Sequence, residues 1–101
     1  MNSEYFESHI CEELEGAKEY IKKAIELKPM APGWSKTLVD MSAAELSHST
    51  LLFKMFGEYY KKLSDAYQEV PEYIVEINKR ITDKYTSMYA EIKIMHDMYS
   101  K

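Results

Sequence analysis

The placement of proline and glycine restricts the fold of this sequence more than any other feature. The 101 residues contain three prolines and three glycines. Pro29, Pro32 and Gly33 lie together and Pro71 stands alone, so the helical patterns are interrupted at two places. β-Sandwiches and barrels need many more turns than this. The spacing predicts an all-α protein, with a single domain over residues 1–101 and long helices at about residues 3–28, 32–68 and 71–99.

Composition excludes several classes of function. The chain has a net charge of -4, whereas non-specific nucleic-acid binding requires a basic excess. Cys11 is the sole cysteine, which rules out an intrachain disulfide and cysteine-based zinc or iron–sulfur sites within one chain. Acidic residues stand near the start, where a signal peptide would have an apolar run, and no stretch is apolar enough to span a membrane. We therefore expect a cytoplasmic protein that binds neither nucleic acid nor membranes.

Apolar residues recur at alternating steps of four and three along each predicted helix, which is typical of bundle-facing stripes. In the first helix the stripe comprises Phe6, Ile10, Glu13, Ala17, Tyr20, Ala24 and Leu27. In the second it comprises Trp34, Leu38, Met41, Glu45, His48, Leu52, Met55 and Tyr59. In the third it comprises Ile74, Ile77, Ile81, Met88, Ile92, Met95 and Tyr99. The pattern predicts a long antiparallel helical hairpin packed against a third helix.

Three polar residues interrupt these stripes. Glu13 lies in the first stripe, and Glu45 and His48 lie in the second as a Glu-x-x-His motif. Residues three apart on a helix share a face, so the carboxylate and the imidazole of this motif can converge on one ion. Glu13 lies about sixteen residues before the first loop and Glu45 about twelve residues after it, hence at similar heights in a hairpin. Burying an unpaired carboxylate is costly, so the pattern predicts a cation bound by Glu13, Glu45 and His48.

Other interpretations of these three residues remain open at this point. The stripe can turn outward here, which would make all three ordinary solvated side chains. They can also form a polar network in the core without a metal. His9, one turn before Glu13, is expected to be a surface histidine, and Glu91 on the third helix is the weakest candidate for a further ligand.

The motifs resemble those of the ferritin-like superfamily, especially rubrerythrins and the short encapsulated ferritins. The resemblance covers residues 5–65 and rests on EELEGAKEY followed by ELSH. In the family a glutamate of the first helix, a tyrosine two turns later and a Glu-x-x-His of the second helix recur. They match Glu13, Tyr20, Glu45 and His48 here. The third helix carries no matching motif.

The resemblance implies a non-haem di-iron carboxylate site, with manganese or zinc as other possible metals. A complete ferritin-like bundle needs two single glutamates and two Glu-x-x-His units, and this chain supplies one of each. The implied fold is therefore a half-bundle completed in a homodimer or larger homo-oligomer. Tyr20 is the candidate hydrogen-bond donor behind the ligands. The implied activity is oxidation of Fe(II) by O2 or peroxide, as in a ferroxidase or a peroxide scavenger.

Two other functions fit the same sequence. One is a non-catalytic helical interaction module whose polar stripe is covered by a partner helix. The other is an iron-binding subunit without turnover. The C-terminal segment HDMYSK does not match an encapsulin-targeting tail, and residence inside a protein compartment stays an open alternative to a free cytoplasmic protein.

Overall fold

The computed structural model describes residues 2–101 and contains three helices, with no strand in that range. They are α1 (Ser3–Leu27), α2 (Pro32–Asp65) and α3 (Glu72–Ser100). The all-helical architecture predicted from the sequence is confirmed, and each helix begins within one residue of its predicted start. The bundle is elongated, measuring 58 × 20 × 15 Å along its principal axes. None of the described helices combines the length and the hydropathy that a membrane crossing would require.

The helix ends follow local chemistry. The side chain of Asn2 accepts a hydrogen bond from the backbone N–H of Tyr5 at 2.9 Å, so Asn2 caps the start of α1. Pro32 occupies the first turn of α2, where its missing N–H costs nothing. The second helix ends at Asp65, three residues before its predicted end, and an irregular segment leads to Pro71.

Small residues bring α1 and α2 together as an antiparallel hairpin. Ser35, Ser42 and Ser49 recur every seventh residue of α2 and are fully buried. Ser42 donates a hydrogen bond to the backbone carbonyl of Ala17 at 2.6 Å, and Ser35 donates to that of Ala24. Since Ala17 and Ala24 are also seven residues apart, the two helices touch through small side chains at successive heptads.

The third helix runs parallel to α1 and closes one side of the hairpin. The guanidinium of Arg80 donates two hydrogen bonds to the carboxylate of Glu7, at 2.6 and 2.9 Å. Lys18 forms an ion pair with Glu91 at 2.8 Å. Both pairs join residues 73 positions apart, which is the register of two helices that run in the same direction. This packing leaves the opposite side of the hairpin uncovered.

The buried core lies one residue away from part of the predicted stripes. In α1 the fully buried positions include Leu14 and Ile21, so Glu13 and Tyr20 lie at the edge of the core. In α2 the prediction that the whole stripe faces the bundle is wrong for a single chain, since Trp34 is 75% exposed. The reason is that α3 packs on only one side of α2. The hydrophobic core comprises Phe6, Ile10, Leu14, Ala17, Ile21, Ala24, Leu46, Phe56, Ile81 and Ile92.

Candidate metal centre

The hairpin brings the three predicted ligands together. Glu13 on α1 and Glu45 and His48 on α2 each offer a donor atom, and these atoms all lie within 4.8 Å of one another. Nδ1 of His48 lies 3.7 Å from Oε2 of Glu13. The antiparallel register that bonds Ser42 to Ala17 places Glu13 at the height of the Glu-x-x-His turn.

The cluster opens toward solvent on the side of the hairpin that α3 does not cover. The side chain of Glu13 is 27% exposed and that of His48 is 57% exposed. The stripe pattern predicted that these three residues would be buried. In one chain they are instead partly open to solvent. Their position at the core edge explains this difference, because the neighbouring Leu14 takes the fully buried position.

One oxygen of the cluster is nevertheless buried without a partner. Oε2 of Glu13 is shielded from solvent and accepts no hydrogen bond from the described residues. Buried acceptors without a hydrogen-bond partner are rare in native proteins, and a bound water or ion is one way to satisfy them. The carboxylates of Glu13 and Glu45 also lie close together, so their mutual repulsion would be relieved by a cation.

Gly16 leaves room for the Glu45 carboxylate. A Cβ atom at Gly16 would lie 3.5 Å from Oε2 of Glu45, which is ordinary van der Waals contact. A larger side chain would press against the carboxylate. Gly16 lies one turn after Glu13 on α1, at the place where the Glu45 side chain of α2 approaches α1.

The donor set suits a divalent transition metal. Metal–oxygen and metal–nitrogen bonds of about 2.0–2.2 Å place neighbouring donors about 2.8–3.6 Å apart, depending on the coordination geometry. The spacing of up to 4.8 Å in the cluster is wider, so the side chains would have to move closer together to bind one ion. Carboxylate and imidazole together fit Fe(II), Mn(II) and Zn(II), so the residues present fit the iron that the sequence resemblance implies.

The remaining candidates do not join the cluster within this chain. Tyr20 lies two turns beyond Glu13, and its hydroxyl forms no hydrogen bond with another described side chain, so its role behind the ligands stays a prediction. His9 lies beside Tyr5, with ring centroids 4.3 Å apart and the rings tilted by 43°, and it is exposed to solvent. Glu91 is engaged with Lys18, which separates it from the three ligands.

Exposed apolar side chains flank the ligands on both sides. Trp34 and Met41 precede the Glu-x-x-His turn, and Leu51 and Met55 follow it. These four residues, which we call the α2 apolar face, are 75%, 40%, 60% and 42% exposed respectively. Contiguous exposed apolar patches can mark interaction surfaces, whereas single exposed apolar side chains are common.

Sequence reasoning missed a second polar contact in the bundle. Nε2 of His96 on α3 lies 2.9 Å from Oγ of Ser42. His96 belongs neither to the apolar stripe of α3 nor to the Glu-x-x-His motif. The signal that could have found it is the repeat of serines at positions 35, 42 and 49, which marks a buried polar line on α2.

Comparison with protein-family models, with curated proteins and with solved structures finds no match to this chain.

Proposed function

We propose that this chain is an iron-binding protein that holds Fe(II) with Glu13, Glu45 and His48 and supports its oxidation. The observation that carries the proposal is the buried Oε2 of Glu13, which has no hydrogen-bond partner and faces two other potential ligands. A cation at this position would satisfy that oxygen and offset the repulsion between the two carboxylates. The resemblance to ferritin-like proteins in this same segment supports iron among the metals that fit.

The number of ligands favours a site shared by two copies. Three protein donors leave an octahedral ion half coordinated, whereas two copies offer four carboxylates and two imidazoles for a pair of ions. The ligands open on the uncovered side of the hairpin, so a second copy can reach them. A two-fold axis is the simplest way to bring identical ligand sets together.

The α2 apolar face supports this arrangement. An antiparallel pairing of two α2 helices, with the axis passing at the height midway between Glu45 and His48, would place both Glu-x-x-His turns at the centre. Trp34 of one copy would then lie opposite Tyr59 of the second copy, and Met41 opposite Leu52 of the second copy. The exposed apolar side chains on both sides of the ligands would become buried, which supplies the main driving force for association.

The chemistry follows from the donor set. Two Fe(II) ions, one O2 and two protons give two Fe(III) ions and one H2O2; with peroxide as the oxidant, two Fe(II), one H2O2 and two protons give two Fe(III) and two waters. Glu13 and Glu45 supply hard anionic oxygens, which stabilise the higher charge of Fe(III) more than that of Fe(II). His48 supplies a neutral nitrogen donor. The surrounding apolar side chains would exclude bulk water from the ions.

Metal binding is tested with protein loaded anaerobically with Fe(II) and freed of unbound metal. We expect stoichiometric iron in the wild type, and at least about a tenfold loss of affinity in Glu45→Gln and His48→Ala, since each removes one of three ligands. Glu15→Gln is the matched control, because Glu15 is an exposed acid on the same helix as Glu13 and lies outside the cluster. Equal iron content in all four proteins would refute the proposed site.

Oxidation is tested on the same samples. Admission of air or peroxide to the loaded wild type should produce ferric absorbance in the near ultraviolet, with consumption of the oxidant. Iron that binds but is not oxidised faster than free Fe(II) in the same buffer would show a binding subunit without turnover.

The shared site is tested by mass in solution. We expect Met41→Glu to shift the wild-type dimer toward monomer, because it places a charge in the middle of the α2 apolar face. Ile94→Glu is the matched control: Ile94 is 60% exposed on α3, away from that face. A wild type that stays monomeric with iron bound would contradict the shared site while leaving metal binding intact. A dimer that binds no metal would favour an interaction module.

A further inference from the structure

A polar cleft lies between α2 and α3, on a different face of α2 from the metal cluster. Its volume is about 190 Å³. The lining residues that carry polar groups are Ser47 and Thr50 from α2 and Tyr89, Lys93 and His96 from α3. No acidic side chain lines it, although the chain as a whole has a net charge of -4.

Several hydrogen-bond donors of the cleft have no acceptor in the protein. Lys93 has no carboxylate within ion-pair distance among residues 2–101, and the nearby Lys18 and Glu91 are already paired with each other at 2.8 Å. The hydroxyls of Ser47 and Tyr89 form no hydrogen bond with other described groups. Since an ammonium can only donate and a hydroxyl can donate, a ligand rich in acceptors would match this lining.

His96 adds a group whose protonation a ligand can change. Ser42 donates its single proton to the carbonyl of Ala17 at 2.6 Å. Nε2 of His96, 2.9 Å from the same Oγ, must therefore carry a proton and donate it to Ser42. Nδ1 of His96 has no partner among the described residues, so it is an acceptor in the neutral ring and a donor in the protonated ring.

The charges around His96 favour the neutral ring when the cleft holds only water. Burial and the ammonium of Lys93 lower the pKa of His96, and Asp97 on the same helix acts in the opposite direction. The part of α2 that lines the cleft contributes no ionisable group, and the lysine and glutamate that join α1 to α3 in this region neutralise each other. An anion beside Lys93 and His96 would reverse the effect of the lysine.

We propose that the cleft between α2 and α3 binds a phosphoryl group, held by Lys93, His96, Ser47 and Tyr89. A phosphoryl group carries more negative charge than a carboxylate and has acceptor oxygens in several directions, which matches a lining with an ammonium, further donors and no acidic side chain. The volume accommodates inorganic phosphate together with a small adjoining group. The source is free phosphate or a phosphate monoester, which share this chemistry. The proposal is independent of the metal cluster.

The test titrates inorganic phosphate into the full chain purified without added metal, at constant ionic strength set with chloride. The His96 ring resonances are followed by NMR across pH. We expect saturable shifts and a rise in the pKa of His96 with phosphate, because the bound anion stabilises the protonated ring. Lys93→Gln and Ser47→Ala, both at exposed positions, should fold normally, and the loss of the ammonium should weaken binding at least about tenfold.

The matched control is Lys54→Gln. Lys54 is an exposed lysine of α2 outside the cleft, so its loss changes the net charge equally and should leave phosphate binding unchanged. Phenyl phosphate is titrated in parallel: tighter binding than inorganic phosphate indicates a phosphate monoester as the ligand, and weaker binding indicates free phosphate. Shifts that do not saturate, or equal weakening by Lys54→Gln and Lys93→Gln, would overturn the proposal.

Discussion

Glu13→Gln should change the stability of this protein in opposite directions without and with metal. Oε2 of Glu13 is buried without a hydrogen-bond partner. An unsatisfied buried polar group costs about 1–3 kcal/mol, and the 27% exposure of this side chain places it near the lower end. The amide of the variant can donate to the nearby Glu45 carboxylate and carries no charge. We therefore expect the metal-free variant to be more stable than the wild type by up to about 1 kcal/mol.

Metal should reverse that order. A ligand present at a hundred times its dissociation constant stabilises the folded protein by about 2.7 kcal/mol. Zn(II) is a suitable probe, since it accepts the same donors and undergoes no oxidation. Urea denaturation at fixed protein concentration, with and without Zn(II), gives the two free energies of unfolding. The wild type should gain about 2.7 kcal/mol at that excess, and the variant should gain little because one of three ligands is gone.

Two results would refute this reasoning. Equal stabilisation of wild type and Glu13→Gln by Zn(II) would show that the metal binds elsewhere. A metal-free variant less stable than the wild type by 1 kcal/mol or more would show that the carboxylate already has a favourable partner. Glu15→Gln controls for the change in net charge on the same helix.

Three further substitutions test the fold around the site. Gly16→Ala should raise the free energy of unfolding by about 1 kcal/mol in urea denaturation, since alanine favours helix and its Cβ would only touch Glu45; a loss of stability would show that the carboxylate needs the space. Arg80 lowers the pKa of Glu7, so Arg80→Gln should reduce the free energy of unfolding at pH values above 4.5, the ordinary pKa of a glutamate. The difference from wild type should vanish as the pH falls through the lowered pKa of Glu7. A difference that persists in strong acid would contradict this explanation. Burial and a neighbouring lysine lower the pKa of His96, so the unfolded chain binds a proton at this histidine more readily than the folded protein. The free energy of unfolding of the wild type should therefore fall as the pH drops below 6.5, the ordinary pKa of histidine. In denaturation experiments between about pH 5 and 7, His96→Gln should show a weaker dependence of this free energy on pH. A pH dependence that is unchanged in the variant would assign it to other groups.

The helices could be predicted from the sequence because their signals are local. Pro32 and Pro71 mark the starts of α2 and α3, and the four–three spacing of apolar residues continues between the breaks. The end of α2 was less well predicted. The segment between Asp65 and Pro71 contains no proline or glycine, so its composition does not mark the end of α2.

The candidate ligands could be named from the sequence, but their exposure could not. A polar residue in an apolar stripe can be found by counting, and the structure brings Glu13, Glu45 and His48 within reach of one another. The position of α3 determines which side of α2 is covered. The apolar stripes of the three helices do not predict that position. The exposure of Trp34 and His48 follows from it. The contact between His96 and Ser42 likewise joins residues 54 positions apart, so the serine repeat can mark Ser42 but does not identify its partner on α3.

The hydroxyl-to-carbonyl hydrogen bonds of the hairpin have a consequence for the metal cluster. Sliding α2 by one helical turn along α1 would remove the bonds from Ser35 and Ser42 to the α1 carbonyls, and both buried hydroxyls would have to find other acceptors. The relative height of Glu13 and the Glu-x-x-His turn is therefore fixed by the apoprotein itself, before any ion or second copy arrives. Such preorganisation keeps the cost of rearrangement low when a cation binds. It also leaves the outer surfaces of the helices free to diverge in sequence while the three donors stay in place.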